Sequence, residues 1–187
     1  SAIVTGAVQL DNATVYEVVR DMAARFERSS KDFPAEVNFK PVTTTICFAV
    51  LGKPLCVPID EIAEVLEPPR FTRLPSVKDW LSGIASVRGK LLPIVDFSLF
   101  LGASPGGVSK QQRVLVLEQQ GISVGLLVDN VRGLRHFNVD SFQSDKSELP
   151  ETLKRYVMGC FIDNSSATYL FSPAQLMADQ SFRDVAA

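Results

Sequence analysis

The sequence of 187 residues predicts a mainly β fold in which two small barrels share one core. Apolar, β-branched segments of strand length alternate with short turns along most of the chain. After residue 30, no helical pattern is long enough to cross between parallel strands, which excludes a doubly wound sheet. A Gly- and Ser-rich segment over residues 102–112 divides the strand-rich part into two halves.

An amphipathic helix is predicted near the N-terminus. Thr14 and Glu17 have the spacing of a capping box. The apolar residues that follow share one helical face: Val15, Val18, Val19, Met22 and Phe26. We expect a helix over residues 14–28 that packs on its own domain or docks on a partner. A connector follows it, so residues 1–43 form an N-terminal extension and residues 44–187 the main domain.

The first half of the main domain is predicted to begin with a hairpin. Thr45–Leu51 and Leu55–Val57 flank a Gly-Lys turn, and the first of them is apolar on both faces, so it needs cover on both sides. Asp60–Leu66 is predicted as a short helix that ends at the prolines after it. Ile84–Val95 is predicted as one long strand, bent or interrupted at Gly89.

The rest of the chain predicts more strands and a final helix. A helical turn is predicted at Phe97–Leu101, followed by a hairpin of Arg113–Glu118 with Ile122–Asp129. A strand is predicted at Arg132–Phe137, followed by another hairpin of Val157–Ile162 with Ala167–Phe171. Ser172 and Pro173 then form a strong helix start. That helix is expected to fray into a polar tail.

The composition of the chain limits the kinds of partner and the cellular compartment that we expect for this protein. A net charge of −2 gives no electrostatic attraction to nucleic acid or to an anionic membrane. No run of apolar residues is long enough for a membrane span, so no direct membrane insertion is expected. The three cysteines form no Cys-x-x-Cys pair and are interpreted as small apolar side chains in a reducing compartment. These features predict a cytoplasmic protein.

No motif for catalysis, a metal or a cofactor is present in the sequence. The single histidine, His136, has no second ligand at metal-binding spacing. Asp60, Asp96 and Asp129 each follow a predicted strand and are interpreted as caps or turn residues. We therefore predict no catalytic residue, no metal and no cofactor. A hydrolase that uses Asp96 or Asp129 remains an alternative, and so does a small-molecule-sensing β-barrel.

Three segments carry a resemblance to a known family: ICFAVLGKPLCVPIDEIAEVLEP, SGIASVRGKLLPIVDFSLFLG and RVLVLEQQGISVGLLVDNVRGL. Together they resemble the CheW-like family, the adaptor domains of bacterial chemosensory arrays. The resemblance implies two intertwined five-stranded barrels around a shared core, no enzymatic activity, and recruitment to membrane-associated receptor arrays. It also implies two partners, the cytoplasmic tip of a methyl-accepting chemoreceptor and the regulatory domain of a CheA-like histidine autokinase. The helical extension resembles that of adaptors in pilus (twitching) systems, with a flagellar adaptor as the alternative.

The resemblance further implies that Arg88 and Gly89 lie at the surface between the barrels, beside the predicted short helix. A receptor helix fits an apolar groove, and a guanidinium at its rim can fix the register of that helix. We expect the receptor groove to include Ile62, Glu64, Val65, Gly83, Arg88 and Gly89. We also expect Glu64 and Arg88 to form an ion pair. The alternative interpretation is that this pair, with a glycine bulge, is only structural.

Overall fold

The computed structural model describes residues 41–72, 78–106 and 109–186, so the predicted helix over residues 14–28 lies outside the described residues. Twelve strands are present there: β1 Val42–Val50, β2 Lys53–Pro58, β3 Glu64–Leu66, β4 Phe71–Thr72, β5 Leu81–Val87, β6 Lys90–Asp96, β7 Arg113–Gln119, β8 Ile122–Val128, β9 Asn130–Asn138, β10 Phe142–Gln143, β11 Val157–Asp163 and β12 Ser166–Phe171. Four short α-helices accompany them: α1 Phe97–Phe100, α2 Glu151–Lys154, α3 Pro173–Ala178 and α4 Gln180–Ala186. No helix in this part of the chain has the length and apolar character needed to cross a membrane.

The strands form two sheets of six strands each. The first sheet has the order β10-β11-β12-β2-β1-β9, so it contains strands from both ends of the described chain. The second sheet has the order β3-β7-β8-β6-β5-β4, so it contains strands from the middle of the described chain. Each sheet contains two antiparallel hairpins joined by one parallel pair, which is β12 with β2 in the first and β8 with β6 in the second. The mainly β class predicted from the sequence is confirmed.

Closed five-stranded barrels are not confirmed. Each sheet has six strands, and within the described ranges the two edge strands of a sheet do not pair with each other. Each sheet is nevertheless strongly rolled. Glu64 on β3 contacts Arg88 in the β5–β6 turn at 2.5 Å, although a flat sheet would separate those strands by roughly 14–19 Å. Arg135 on β9 and Asp163 on β11 meet in the same way across the first sheet, at 2.8 Å.

A shared apolar core lies between the two sheets. It combines residues from β1 and β2 with residues from β7 and β8, and Phe97 of α1 and Phe171 of β12 pack together in it with ring centroids 5.5 Å apart. Each sheet has a further cluster of its own on its other face. Strand β1 supplies Phe48 to the shared core and Cys47 to the first sheet's cluster, which confirms the prediction that it is covered on both faces.

The cysteines behave as apolar core residues. All three are free and buried: Cys47, Cys56 and Cys160. Burial raises the pKa of each thiol, since the thiolate is poorly solvated in an apolar cluster. The interpretation of these residues as small apolar side chains is confirmed.

Two predicted elements of the first half are wrong. Asp60–Leu66 is not a helix, because only Ile59–Glu61 forms a 3-10 turn and Glu64–Leu66 is strand β3, paired with β7. A segment this short has little helical stability of its own, so strand pairing decides its structure. Ile84–Val95 is not one strand but the β5–β6 hairpin, with Arg88 and Gly89 as its turn.

The C-terminal helix start is confirmed, but the fraying tail is not. The Ser172 hydroxyl oxygen accepts a hydrogen bond from the Gln175 amide at 3.3 Å and caps α3. Helix α4 follows, and its Phe182 is fully buried against Phe100, with ring centroids 5.6 Å apart. A single aromatic residue in a polar segment gives no amphipathic pattern from which a helix could be predicted. In the structure, Phe182 nevertheless anchors α4 to the core.

Candidate functional site

A half-open groove of about 730 Å³ lies at the end of the second sheet where the β5–β6 and β7–β8 hairpins turn. Its apolar lining comes from four strands: Ile84, Val87, Leu91, Leu92, Pro93, Val116 and Ile122. Its polar lining is mostly charged and includes both signs: Glu64, Arg88, Lys90, Glu118 and Ser123. The groove thus combines an apolar floor with ionic groups, which is the anatomy of a protein-binding surface.

The predicted ion pair stands at this groove. Arg88 Nη2 donates to Glu64 Oε1 at 2.5 Å, which confirms the predicted pairing. The Arg88 side chain is 78% exposed and that of Glu64 is 26% exposed. Exposed pairs contribute about 0–1 kcal/mol to stability, so this contact orients the guanidinium more than it holds the fold together. Among the described residues, Glu64 is the one hydrogen-bond partner of the Arg88 side chain.

The turn that carries Arg88 has a defined geometry. Arg88 and Gly89 have φ values of 51° and 76°, as the two central residues of a type I′ hairpin turn require. A Cβ added to Gly89 would meet no atom within 4 Å, so the glycine serves the backbone conformation and leaves the space beside it open. A non-glycine residue also has positive φ in the turn after β1, after β7 and after β11. The conformation of Arg88 is therefore a property of tight hairpins here, and its charge is what distinguishes the turn.

An apolar strip lies on the face of the second sheet opposite Glu64. Leu91 is 74% exposed, although it adjoins Leu92, which is buried in the second sheet's cluster. Leu91 and Pro93 therefore point to the face of β6 opposite Leu92. Pro93 lies across from Ile84, and the parallel register of β6 and β8, with Ile94 opposite Gly125, brings Ile122 beside Leu91. These side chains form one continuous strip, which we call the Leu91 strip.

Some of the residues predicted for the receptor groove line the observed groove or its adjoining turn, and others lie elsewhere. Glu64 and Arg88 line the groove and Gly89 lies in the adjoining turn. Ile62 is only 9% exposed and belongs to the shared core, and its contact with a receptor stays a prediction. Val65 is exposed, belongs to strand β3 and not to the predicted helix, and points to the face of the sheet opposite Glu64, which is also the face of Leu91.

Gly83 does not lie at the groove surface. It is buried within β5, opposite Ile94 of the second sheet's cluster. Gly83 is not among the residues that line the groove, and its contact with a receptor stays a prediction.

Several groove residues were not predicted. Leu91, Lys90, Glu118 and Ile122 line the groove but have no motif that identifies them. One signal does exist in the sequence, because Leu91 and Leu92 are adjacent in a strand, and adjacent residues of a strand point to opposite faces. An apolar residue must then lie on the outer face of the hairpin, next to its charged turn.

The polar residues considered as candidates for catalysis or metal binding form hydrogen bonds within the fold: Asp96, Asp129 and His136. Asp96 Oδ1 accepts from the Leu99 amide at 3.1 Å and caps α1, as predicted, and burial raises the pKa of this carboxyl. Ser98 donates to Asp129 at 3.3 Å, and neither aspartate lines the groove. His136 Nδ1 lies 2.9 Å from the Thr44 hydroxyl on the exposed face of β9. Among the described residues, no group of three or more His, Cys, Asp or Glu side chains is placed to hold a metal ion.

Comparison with known proteins agrees with this architecture. Residues 44–181 match the family model described as the CheW-like domain. The chain is 38% identical over 176 residues to the protein PilI of Pseudomonas aeruginosa, which covers 94% of this chain and 98% of PilI. It is 25% identical to the chemotaxis protein CheW of Helicobacter pylori, over 81% of this chain and 84% of that protein.

A solved structure has the same fold. The scaffolding protein TtCheW from Thermoanaerobacter tengcongensis superposes with a TM-score of 0.61 at 22% identity, covering 70% of this chain and 88% of TtCheW. The family model spans most of the main domain, and PilI matches almost the whole chain. The chain therefore belongs to the CheW-like domain family.

Proposed function

We propose that this protein is a non-enzymatic adaptor of a bacterial chemosensory array. It couples the cytoplasmic tip of a methyl-accepting chemoreceptor to the regulatory domain of a CheA-like histidine autokinase. The protein acts in the cytoplasm and is recruited to the array by its partners. The near full-length similarity to PilI supports a pilus (twitching) system over a flagellar one.

One observation carries this proposal: an exposed guanidinium stands at the rim of an apolar groove. A chemoreceptor tip is a helical hairpin, and a helix buries its apolar face in a groove of this kind. Leu91 and the other apolar lining residues supply the apolar contact, and Arg88, paired with Glu64, lines the same groove. Arg88 then donates to a carboxylate or a carbonyl of the receptor and fixes the register of its helix.

The proposal is tested by assembly of a three-component complex. Receptor tip fragments are displayed on vesicles, the autokinase is added with and without the adaptor, and the kinase that sediments with the vesicles is measured. We expect the adaptor to bring the kinase down with the vesicles. Arg88→Glu should abolish the receptor contact because it places a second carboxylate next to Glu64, while binding of the kinase in solution is retained. Kinase sedimentation that does not depend on the adaptor would refute the proposal.

A second candidate function, small-molecule sensing, is favoured by the groove volume of about 730 Å³, which is in the range of ligand sites. One feature favours a protein partner instead: Leu91 stands 74% exposed in the groove wall. Metabolite screening by thermal shift separates the two functions. A metabolite that raises the melting temperature of the wild-type protein but not that of Leu91→Asp would establish the sensor.

A further inference from the structure

We propose that Cys47 and Cys56 form an oxidisable pair, which hydrogen peroxide converts to a disulfide bond between β1 and β2. The two cysteines lie directly opposite each other in these antiparallel strands. Both side chains belong to the first sheet's own apolar cluster, so they point to the same face. The pair lies in the first sheet and the groove in the second, so this proposal does not depend on the adaptor function.

The pairing of β1 with β2 brings the two side chains close together. The turn between these strands has two residues, so Val50 and Lys53, which flank it, form a hydrogen-bonded pair. Hydrogen-bonded and non-hydrogen-bonded pairs alternate along an antiparallel ladder. Cys47 lies three positions before Val50, so Cys47 and Cys56 form a non-hydrogen-bonded pair, the type in which opposite side chains approach most closely.

Two prolines in β2 support this assignment. Pro54 lies opposite Ala49 and Pro58 lies opposite Thr45, and the same alternation makes both of these pairs non-hydrogen-bonded. Proline has no N–H group, so it fits such a position without the loss of a ladder hydrogen bond. Cys56 lies two residues from each proline and therefore has the same type of pairing.

The resulting separation suits a disulfide. The Cα atoms of a non-hydrogen-bonded pair are about 4.5 Å apart. Disulfides join Cα atoms that are about 4.4–6.8 Å apart, so the bond between β1 and β2 forms near the lower limit and is readily reduced again. Cys160 lies opposite Tyr169 and packs in the shared core, so it serves as an internal control.

Cys47 is the cysteine that a small oxidant reaches. Gly133 on the edge strand β9 lies opposite Cys47, at the point where the register of β1 and β9 shifts. Gly133 is exposed, and a Cβ added to it would meet no atom within 4 Å, so no side chain closes this position. Peroxide is close to water in size and can enter there.

The two thiols also differ in ionisation. Burial raises the pKa of both, and it does so more strongly at Cys56, which has no exposed surface. The Thr45 hydroxyl lies 3.7 Å from Cys47 Sγ, and a hydrogen bond there lowers the pKa of this thiol. Cys47 therefore ionises more readily than Cys56 and reacts first.

The reaction has two steps. The Cys47 thiolate attacks one oxygen of hydrogen peroxide, the O–O bond breaks, and a sulfenic acid and hydroxide are formed. The Cys56 thiol then attacks the Cys47 sulfur, which forms the S–S bond and releases the sulfenic oxygen as water. In total the two thiols lose two electrons and two protons, and one peroxide is reduced to two waters.

Peptide mapping of the native protein tests the pairing. The reduced protein is treated with hydrogen peroxide, denatured, alkylated with N-ethylmaleimide and digested without reductant. We expect peptides joined through Cys47 and Cys56, with Cys160 alkylated, and release of the joined peptides by dithiothreitol. Cys160→Ser, the matched control, should form the same disulfide, whereas Cys47→Ser should leave Cys56 alkylated.

Trapping of the intermediate tests the order of the two steps. In Cys56→Ser, dimedone should label Cys47 as a sulfenic acid, because the second thiol is missing. Full alkylation of Cys47 and Cys56 after peroxide treatment, a disulfide to Cys160 or to a second chain, or the lack of a dimedone label on Cys47 would each overturn the proposal. Circular dichroism of every variant confirms that it is folded. None of these results depends on a receptor or a kinase, so the cysteine pair can fail while the adaptor function stands.

Discussion

Replacement of Arg88 by asparagine should separate binding from stability. The side chain is 78% exposed, and loss of an exposed ion pair costs about 0–1 kcal/mol. Asparagine tolerates the positive φ of 51° better than arginine does, which offsets part of that loss. The free energy of unfolding should therefore change by less than about 1 kcal/mol, and the melting temperature by less than about 4 °C in a protein of this size.

The effect on receptor affinity should be much larger. A hydrogen bond to a charged group contributes about 1.5–3 kcal/mol when its partner is desolvated. If Arg88 donates to the receptor, Arg88→Asn should raise the Kd for a receptor tip fragment roughly 10- to 150-fold. Isothermal titration calorimetry measures the Kd, and a thermal melt by circular dichroism measures stability on the same samples.

Arg135 provides a matched control for this experiment. It forms a comparable exposed ion pair with Asp163, at 2.8 Å, across the roll of the first sheet and away from the groove. Arg135→Asn also removes the cation–π contact of Arg135 with the Phe137 ring, 4.6 Å away, so it should lower stability by about 1–2 kcal/mol and leave the receptor Kd unchanged. An equal loss of affinity in both variants, or a fall in melting temperature of more than about 8 °C in Arg88→Asn alone, would refute the reasoning.

Three further predictions concern the core. Gly159→Ala should lower the free energy of unfolding by about 3 kcal/mol in urea titrations, because its Cβ would overlap the backbone carbonyl of Gln143 in the neighbouring strand. Burial and hydrogen bonding to Asp179 raise the pKa of Tyr156, so the native protein should lose stability above about pH 10, where the unfolded chain releases this proton and the native state does not. Tyr156→Phe should reduce that loss, although it lowers stability near neutral pH by about 1–2 kcal/mol. The three buried thiols should react with a disulfide reagent such as DTNB only after denaturation, and rapid reaction of the native protein would contradict their burial.

Local signals account for the elements that the sequence predicts correctly. The hairpins β1–β2, β7–β8 and β11–β12 each have glycine, asparagine or serine in the turn, and alternating or fully apolar residues in the strands. The β5–β6 hairpin is missed because its turn glycine, Gly89, is also compatible with a bend or a bulge inside one continuous strand.

The groove depends on contacts that no local pattern contains. Glu64 and Arg88 are 24 residues apart and meet only because the second sheet rolls until β3 approaches the β5–β6 turn. Their pairing was predicted from the family resemblance and not from periodicity. The burial of Ile62 could not be predicted for a related reason, since an apolar residue near a charged one can equally lie in a groove or in the core, and sheet geometry decides between them.

The two sheets supply an internal comparison for the role of Arg88. The arrangement β7-β8-β6-β5 repeats as β11-β12-β2-β1, with the same antiparallel and parallel pairings, so the β5–β6 turn corresponds to the β1–β2 turn. In the first sheet that position is Leu51, with a φ of 52°, and its side chain packs against the shared core. Arg88 has the same backbone conformation but points into solvent beside the groove. Because the fold can use this position for packing and in the second sheet does not, the exposed charge of Arg88 supports its proposed contact with a receptor helix.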